Sequence, residues 1–168
     1  GFKAINVEQS RIIGTELELM LSRPIGRMTA TVTGGYTFIN PVEINAFTGQ
    51  STGKYLKYRR KHTAKIGLLA SSDRFEAGVD IYARSKTLRI DDVFLDPLTR
   101  ESILPGFYDY WQEYNTGYFL MDGSLGYRIS RSLKLSAAVK NITNTEYMGR
   151  PGDIQPVRNF SLRLSGRF

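Results

Sequence analysis

Apolar and polar residues alternate with a period of two along most of this chain. Ile13, Leu17 and Leu19, for example, are interleaved with Glu16 and Glu18. A period of two is typical of a β-strand with one apolar and one polar face, whereas an amphipathic helix repeats every 3.6 residues. Seven segments follow the pattern and are predicted to be strands: 13–21, 28–38, 64–70, 75–84, 119–129, 133–140 and 160–168. No window fits an amphipathic helix as well, so the chain is predicted to be all-β.

The connections between these strands alternate in length. Short connections (22–27, 71–74 and 130–132) are interleaved with long ones (39–61, 85–117 and 142–157). Bacterial outer-membrane barrels have this organisation, with strands of about ten residues, short periplasmic turns, long extracellular loops, an apolar outside and a polar inside. The sequence therefore predicts an antiparallel segment of a transmembrane β-barrel.

The side chains on the two rows support the same interpretation. A dry protein core would not accommodate Glu16, Glu18, Asp80 and Arg84 without partners. Aromatic residues lie near the ends of the apolar rows, where a membrane–water interface favours them. They are Tyr36, Phe38, Phe75, Phe119, Tyr127, Phe160 and Phe168. Aromatic packing at the ends of a soluble sandwich is the alternative.

Seven strands cannot form a complete barrel of this class. Single-chain bacterial barrels have an even number of strands, and an open edge in lipid would leave backbone groups unsatisfied. The chain also starts at Gly1 in mid-pattern, without Met or a targeting segment. We expect the remaining wall to come from sequence outside these 168 residues.

Composition excludes several kinds of site. The chain has no Cys and one His, His62, which removes disulfides, Cys-ligated zinc and His-paired triads. The net charge of +7 favours an anionic partner, so a soluble β-domain that binds nucleic acid stays open as a minor alternative. Glu16 and Glu18 lie about 7 Å apart on one strand face, but we expect them to meet Lys or Arg. Neither an enzyme nor a cofactor is predicted.

The C-terminal part carries a family resemblance. The segment 141–147 (NITNTEY), followed by Gly149–Arg150–Pro151–Gly152 and by a last strand that ends in Phe168, resembles the end of TonB-dependent outer-membrane receptors. Val157 departs from that pattern, because it lies between Pro156 and Arg158 where the family often has Pro–Arg directly. Weaker similarity is carried by 14–18 (GTELE) and 34–38 (GGYTF), so the resemblance spans essentially the whole chain.

The resemblance implies a fold and a function. Residues 1–168 would be the last third of a 22-stranded barrel, without the plug domain that fills such barrels. The whole receptor would bind a scarce solute, such as a ferric siderophore or haem, at the extracellular face and import it with energy supplied by TonB. Its location would be the outer membrane of a Gram-negative bacterium. A passive porin or structural barrel is the alternative function.

The same resemblance implies partners. These are the plug and remaining strands of the same receptor, the TonB complex through the plug, outer-membrane lipid and lipopolysaccharide, the barrel-assembly machinery, and in some receptors a surface lipoprotein. Nucleic acid is not among them. Phe160, Leu162, Leu164 and Phe168 form the apolar row of the last strand, which resembles the signal read by the assembly machinery. A row that only contacts lipid is the alternative.

Two loop segments are candidates for contact with the solute. The densest basic run, 54–62, offers Tyr55, Tyr58, Arg59 and Arg60 for an anionic aromatic ligand such as a catecholate chelate. Lipopolysaccharide phosphates or solvent are the alternatives for this run. The densest aromatic run, 108–114, offers four rings that could instead pack within the loop or in the outer girdle: Tyr108, Tyr110, Trp111 and Tyr114.

An acidic cluster and a Gly-rich loop are given structural interpretations. Asp91, Asp92 and Asp96 have short spacing, but the Gly and the final Glu of an EF-hand loop are missing, so a solvated turn is predicted and no metal site. Residues 150–153 are predicted to shape their loop and not to contact ligand.

Overall fold

The computed structural model describes residues 9–167. Eight strands account for most of the chain: β1 Gln9–Ile25, β2 Met28–Ile44, β3 Ser51–Tyr55, β4 His62–Ser71, β5 Phe75–Ser85, β6 Gly117–Arg128, β7 Leu133–Lys140 and β8 Asn159–Gly166. Between β5 and β6 lie a 3-10 helix (Asp92–Phe94) and the helices α1 (Arg100–Ile103) and α2 (Phe107–Tyr114). The all-β prediction is confirmed, because the strands form one antiparallel sheet.

The strands are ordered β1-β2-β4-β5-β6-β7-β8, and β3 pairs with β2 outside this path. All seven predicted strands are present, joined by the short and long connections that the sequence indicated. β1 and β8 are the two edges of the sheet within the described residues, so the sheet is open, as predicted for an incomplete barrel.

The register keeps the two rows of each strand on opposite faces. In the β7–β8 pair, Leu135 lies opposite Leu164 and Ala137 lies opposite Leu162. Between them, Ser136 lies opposite Arg163. We call the two sides the apolar face and the polar face of the sheet. Leu133, Leu135, Leu162 and Leu164 thus share the apolar face of a single sheet, and they do not lie inside a sandwich.

The chain divides into two compact units. Within the described residues, unit 1 comprises 9–16, 37–62 and 85–117, and unit 2 comprises 17–36, 63–84 and 118–167. The buried apolar side chains of the described chain are Ile90, Phe107 and Pro41, and all three lie in unit 1. In unit 2 the apolar face stays open, with Leu19 60% and Leu162 74% exposed. No protein layer covers this face within residues 9–167.

The structure corrects the sequence prediction in the long connections. The strand β3 lies within the predicted loop 39–61 and pairs with an extension of β2, with Val42 opposite Tyr55. The connection 85–117 was predicted without helix, yet it contains three short helical segments. These segments pack through aromatic contacts, with Phe107 5.6 Å from Phe94 and 5.9 Å from Trp111 between ring centroids. None of the helices in the described residues is long and apolar enough to cross a membrane.

Candidate functional site

The basic run 54–62 lies in unit 1 and is held by the connection that follows β5. The Lys57 Nζ lies 2.6 Å from Asp91 Oδ1, and the Tyr58 hydroxyl donates a hydrogen bond to the same carboxylate. The Tyr58 amide donates to the Arg89 carbonyl, with Tyr58 at a φ of 59°. These hydrogen bonds, first from Lys57 and then from Tyr58, hold the pKa of Asp91 below its usual value.

Two more members of this run are held by internal contacts. The Arg60 guanidinium donates to the Ser85 carbonyl at 2.6 Å. The Lys61 ammonium lies 4.6 Å above the Tyr55 ring and donates to the Tyr55 hydroxyl at 2.7 Å. Tyr55, Tyr58 and Arg60 therefore help to fix the shape of the loop.

Arg59 differs from its neighbours. Its backbone carbonyl accepts a hydrogen bond from the Leu88 amide, which fixes the position of the residue. Its side chain is exposed and has no ion-pair or hydrogen-bond partner in the described part of the chain. Of the four predicted contacts in this run, Arg59 is the one whose charged group is available to an incoming anion.

The aromatic run 108–114 forms most of α2. Trp111 packs on the buried Phe107, and the Tyr108 ring lies 3.9 Å from the Arg100 guanidinium. Tyr110 and Tyr114 stack with their ring centroids 4.5 Å apart. Tyr114 is 44% exposed, so it presents one edge of this stack to the surroundings.

The three aspartates of the predicted acidic cluster, in the same connection, have protein partners. Asp91 accepts from Lys57 and Tyr58, Asp92 pairs with Arg89 at 2.9 Å, and Asp96 accepts from the Leu98 amide. Arg89 also reaches Glu43 at 3.1 Å. No group of three or more potential metal ligands occurs in residues 9–167. Internal pairs hold this segment, while Asp92 and Asp96 are exposed, as expected for the predicted solvated turn.

A second candidate site lies in unit 2, on the polar face. A cavity of about 480 Å³ opens between the ends of β5, β6 and β7 and the connection that precedes β8. This volume lies within the usual range for small-molecule sites. Its polar and aromatic lining includes Tyr82, Arg84, Tyr118, Asp122, Lys140, Tyr147, Asp153, Gln155 and Asn159.

An aromatic pair with an arginine dominates this cavity. The Tyr118 and Tyr147 rings lie 4.5 Å apart, and Arg84 donates to the Tyr118 hydroxyl at 3.2 Å. Burial, and then the proximity of Tyr118, raises the pKa of Tyr147 above its usual value. Arg84 has no carboxylate partner among the described residues, so its guanidinium can serve an anionic group.

The other charges of the cavity are arranged differently. Lys140 pairs with Asp122 at 2.8 Å, and the Asp122 carboxylate also accepts from the Asn141 amide. Asn141 is buried at 4% exposure and holds the following connection through hydrogen bonds to Thr145 and Pro156. The Asn-rich turn of the sequence resemblance therefore shapes one wall of the cavity.

Sequence reasoning did not find this cavity. Arg84 and Tyr118 are 34 positions apart, and only the neighbouring positions of β5 and β6 bring them together. Asp153, predicted to be purely architectural, is part of the lining. The sequence did contain a signal for this cavity, because Tyr and charged residues are concentrated at one end of the polar rows.

The family model for the TonB-dependent receptor-like β-barrel matches residues 1–142. The chain belongs to the TonB-dependent receptor family. The resemblance inferred from the sequence is thus confirmed, although the match ends where the most specific motif, from residue 141 onward, begins. Receptors of this family are outer-membrane proteins of Gram-negative bacteria, and each also contains a plug domain.

Two solved receptors resemble this TonB-dependent receptor chain. The ferric-catecholate import receptor Fiu from Escherichia coli K12 has a TM-score of 0.61 and 20% identity, over 95% of this chain. The siderophore receptor PiuA from Acinetobacter baumannii has a TM-score of 0.62 and 15% identity, over 94% of this chain. The chain spans only about a fifth of each structure (21% and 22%). No curated protein matches it.

The last strand of the described residues, β8, lies where the sequence predicted a strand, up to Gly166. Phe160, Leu162 and Leu164 lie on the apolar face of β8, opposite Val139, Ala137 and Leu135. Phe168 lies outside the described residues. The role of this row in barrel assembly stays a prediction.

Proposed function

We propose that this chain supplies wall and loops to an outer-membrane active transporter that imports a ferric siderophore with energy from TonB. One observation carries the membrane part of the proposal. Within residues 9–167, no residue on the apolar face of this single sheet is buried, and Leu19, Leu125 and Leu162 on it are each at least 60% exposed. Hydrocarbon is the medium that would cover such a face without leaving it in water.

The siderophore part rests on chemistry and on similarity. Fiu and PiuA are named as a ferric-catecholate import receptor and a siderophore receptor. A ferric catecholate is anionic and aromatic, and it would be attracted by an exposed guanidinium beside aromatic rings. We propose that Arg59 and Tyr114 contact it in the loops, and that Tyr55, Tyr58, Arg60, Tyr108, Tyr110 and Trp111 hold the loops in shape.

The cavity of unit 2 is a second place where such a solute could bind. Arg84 offers positive charge, while Tyr118 and Tyr147 offer ring faces. The lining as a whole is electrically balanced, since Arg84 and Lys140 accompany Asp122 and Asp153. We propose that this cavity is an alternative binding site for such a solute, in which Arg84 contacts an anionic group.

The partners follow from the same proposal. The complete receptor would include the remaining strands and a plug, which would engage the TonB complex. Outer-membrane lipid and lipopolysaccharide would surround the wall, and the barrel-assembly machinery would read β8. A surface lipoprotein partner is not part of the proposal. The proposed activity is transport, and no catalytic role is assigned.

The experiment uses the complete receptor in an iron-starved Gram-negative host that lacks its own catecholate receptors. We expect uptake of ⁵⁵Fe as a ferric tris-catecholate, and loss of that uptake when the proton motive force is collapsed. Uptake that persists without the proton motive force would indicate a passive porin. Absence of both uptake and binding would contradict the siderophore assignment.

Matched variants locate the contact. Arg59→Gln should weaken ferric catecholate binding about ten- to a hundredfold, the range for loss of one hydrogen bond to a charged group. Lys54→Gln removes another exposed charge from the same run and should leave binding unchanged. Equal effects of the two substitutions would show that only the total charge of the loop matters.

A further inference from the structure

The short turns of the sheet carry an unbalanced charge. Five arginines lie in or beside them: Arg23, Arg27, Arg74, Arg131 and Arg167. Asp73 is the one acidic residue in these turns. The three long connections, by contrast, hold nine basic and nine acidic residues. The positive charge that the composition suggested for an anionic partner is therefore concentrated at the short turns.

The topology brings these five arginines to one end of the sheet. The turns β1–β2, β4–β5 and β6–β7 join antiparallel neighbours, so they lie at the same end. β8 finishes there as well, because Gly166 pairs with Leu133, the first residue of β7. Since neighbouring strands lie about 4.8 Å apart, successive turns recur about every 10 Å. All five residues belong to unit 2.

The five guanidinium groups are available for binding. Each of these side chains is exposed, and none has an ion pair or a hydrogen bond from its side chain in the described part of the molecule. In contrast, Arg128 at the end of β6 donates to the Asp73 carbonyl at 3.0 Å and is part of the turn structure. The five therefore form a row of unpaired positive charge, which we call the arginine row.

The surface beside the arginine row indicates what it meets. Phe75 follows Arg74 directly, and its ring lies 4.8 Å from that of Tyr127 on the apolar face. Phe75 is 59% exposed. Aromatic rings at the edge of an apolar face are typical of the level of lipid headgroups. A membrane leaflet is a partner that would place hydrocarbon against the apolar face and anionic headgroups against the arginine row at its border.

The exclusive use of Arg in the short turns indicates the kind of anionic group that they bind. All basic residues in these turns are Arg, although the long connections use four Lys and five Arg. A guanidinium presents a planar fork that binds phosphate oxygens in a bidentate manner, whereas an ammonium acts as a point charge. The row is thus suited to phosphodiester groups.

We infer that the arginine row binds the headgroup phosphates of anionic phospholipids in the leaflet that surrounds the short turns. This inference rests on the proposed membrane location, but it is independent of the solute. The row would fix the depth of the barrel wall in the bilayer and would enrich anionic lipid around it.

The test uses the complete receptor reconstituted in phosphatidylcholine vesicles. Electron spin resonance measures the association of spin-labelled phosphatidylglycerol relative to spin-labelled phosphatidylcholine. We expect a preference of about two- to fivefold for phosphatidylglycerol, reduced at high salt. The quadruple substitution of Arg23, Arg27, Arg74 and Arg131 by Gln should lower it to about one. The corresponding substitution by Lys should keep a preference above that of the Gln variant.

The matched control substitutes four exposed basic residues of the connections, Lys54, Lys86, Arg150 and Arg158, by Gln. This control should retain the preference for phosphatidylglycerol. An unchanged preference in the turn variant, or an equal loss in the control, would overturn the inference. Binding of soluble polyglutamate to the row without any lipid preference would also overturn it, and would indicate an acidic protein partner.

Failure of this inference can be distinguished from failure of the proposed function. Ferric catecholate binding is measured on the same vesicles and needs none of the four turn arginines. A receptor that prefers phosphatidylglycerol but ignores the catecholate would refute the siderophore only. A receptor that cannot be inserted into vesicles at all would refute both.

Discussion

At the scale of single residues, a glycine on the polar face permits neighbouring side chains to converge. Gly67 of β4 lies opposite Asp80 of β5. An added Cβ would lie 2.5 Å from Thr33 Oγ1 and 3.1 Å from Asp80 Oδ1. Thr33 is β-branched, so rotation about its χ1 is restricted and its Oγ1 cannot easily move away from the added methyl group. We therefore expect Gly67→Ala to destabilise the complete receptor by about 1–3 kcal/mol. Urea unfolding in detergent micelles measures this difference.

Gly35 provides the control for this prediction. It lies on the polar row of β2, and an added Cβ would have no atom within 4 Å. Gly35→Ala should therefore leave the free energy of unfolding nearly unchanged. Thr33→Ala, combined with Gly67→Ala, should recover part of the loss because it removes the closest atom. An equal cost at both glycines would show that flexibility, and not the contact with Thr33, sets the effect.

At the scale of elements, strands could be predicted from sequence far better than the contents of the loops. Each wall strand has one apolar and one polar face, so apolar and polar residues alternate clearly along strands such as β5 and β7. The helix α2 buries its ring contacts within a small loop core, which gives no long amphipathic pattern. A local signal did exist, since Phe107 and Trp111, like Tyr110 and Tyr114, are four residues apart. The cavity at Arg84 could not be predicted without the pairing of β5 and β6.

The aromatic core of the connection 85–117 leads to a prediction about α2. Phe107 is 4% exposed and contacts both Phe94 and Trp111, so Phe107→Ala should cost about 3–5 kcal/mol of local stability. Hydrogen exchange of the Tyr110 and Asn115 amides, which bond to Gly106 and Trp111, should then accelerate by at least tenfold. Leu98→Ala, at a side chain 88% exposed, should change neither rate. Slow exchange in the Phe107 variant would show that α2 is held by other contacts.

At the scale of the whole molecule, stability depends on a medium that the chain does not contain. A soluble domain covers its apolar strand faces with a second layer, but here the apolar face of the sheet has none within the described residues. In the proposed membrane location, the free energy that a core supplies elsewhere would come from transfer of this face into lipid. The arginine row and the aromatic pair beside it define where this lipid-facing region would end.

This dependence can be tested with two adjacent residues of β8. Leu162 lies mid-strand on the apolar face, opposite Ala137, while Ser161 lies on the polar face, opposite Ala138. Leu162→Arg should destabilise the receptor folded in vesicles by about 2–4 kcal/mol, because the guanidinium would enter hydrocarbon. Ser161→Arg places the same group on the hydrated side and should cost less than about 0.5 kcal/mol. Urea titration in vesicles measures both free energies of unfolding. The two substitutions add the same side chain one residue apart, so they differ only in the face of the sheet that carries it. Equal costs would mean that both faces of the sheet contact water.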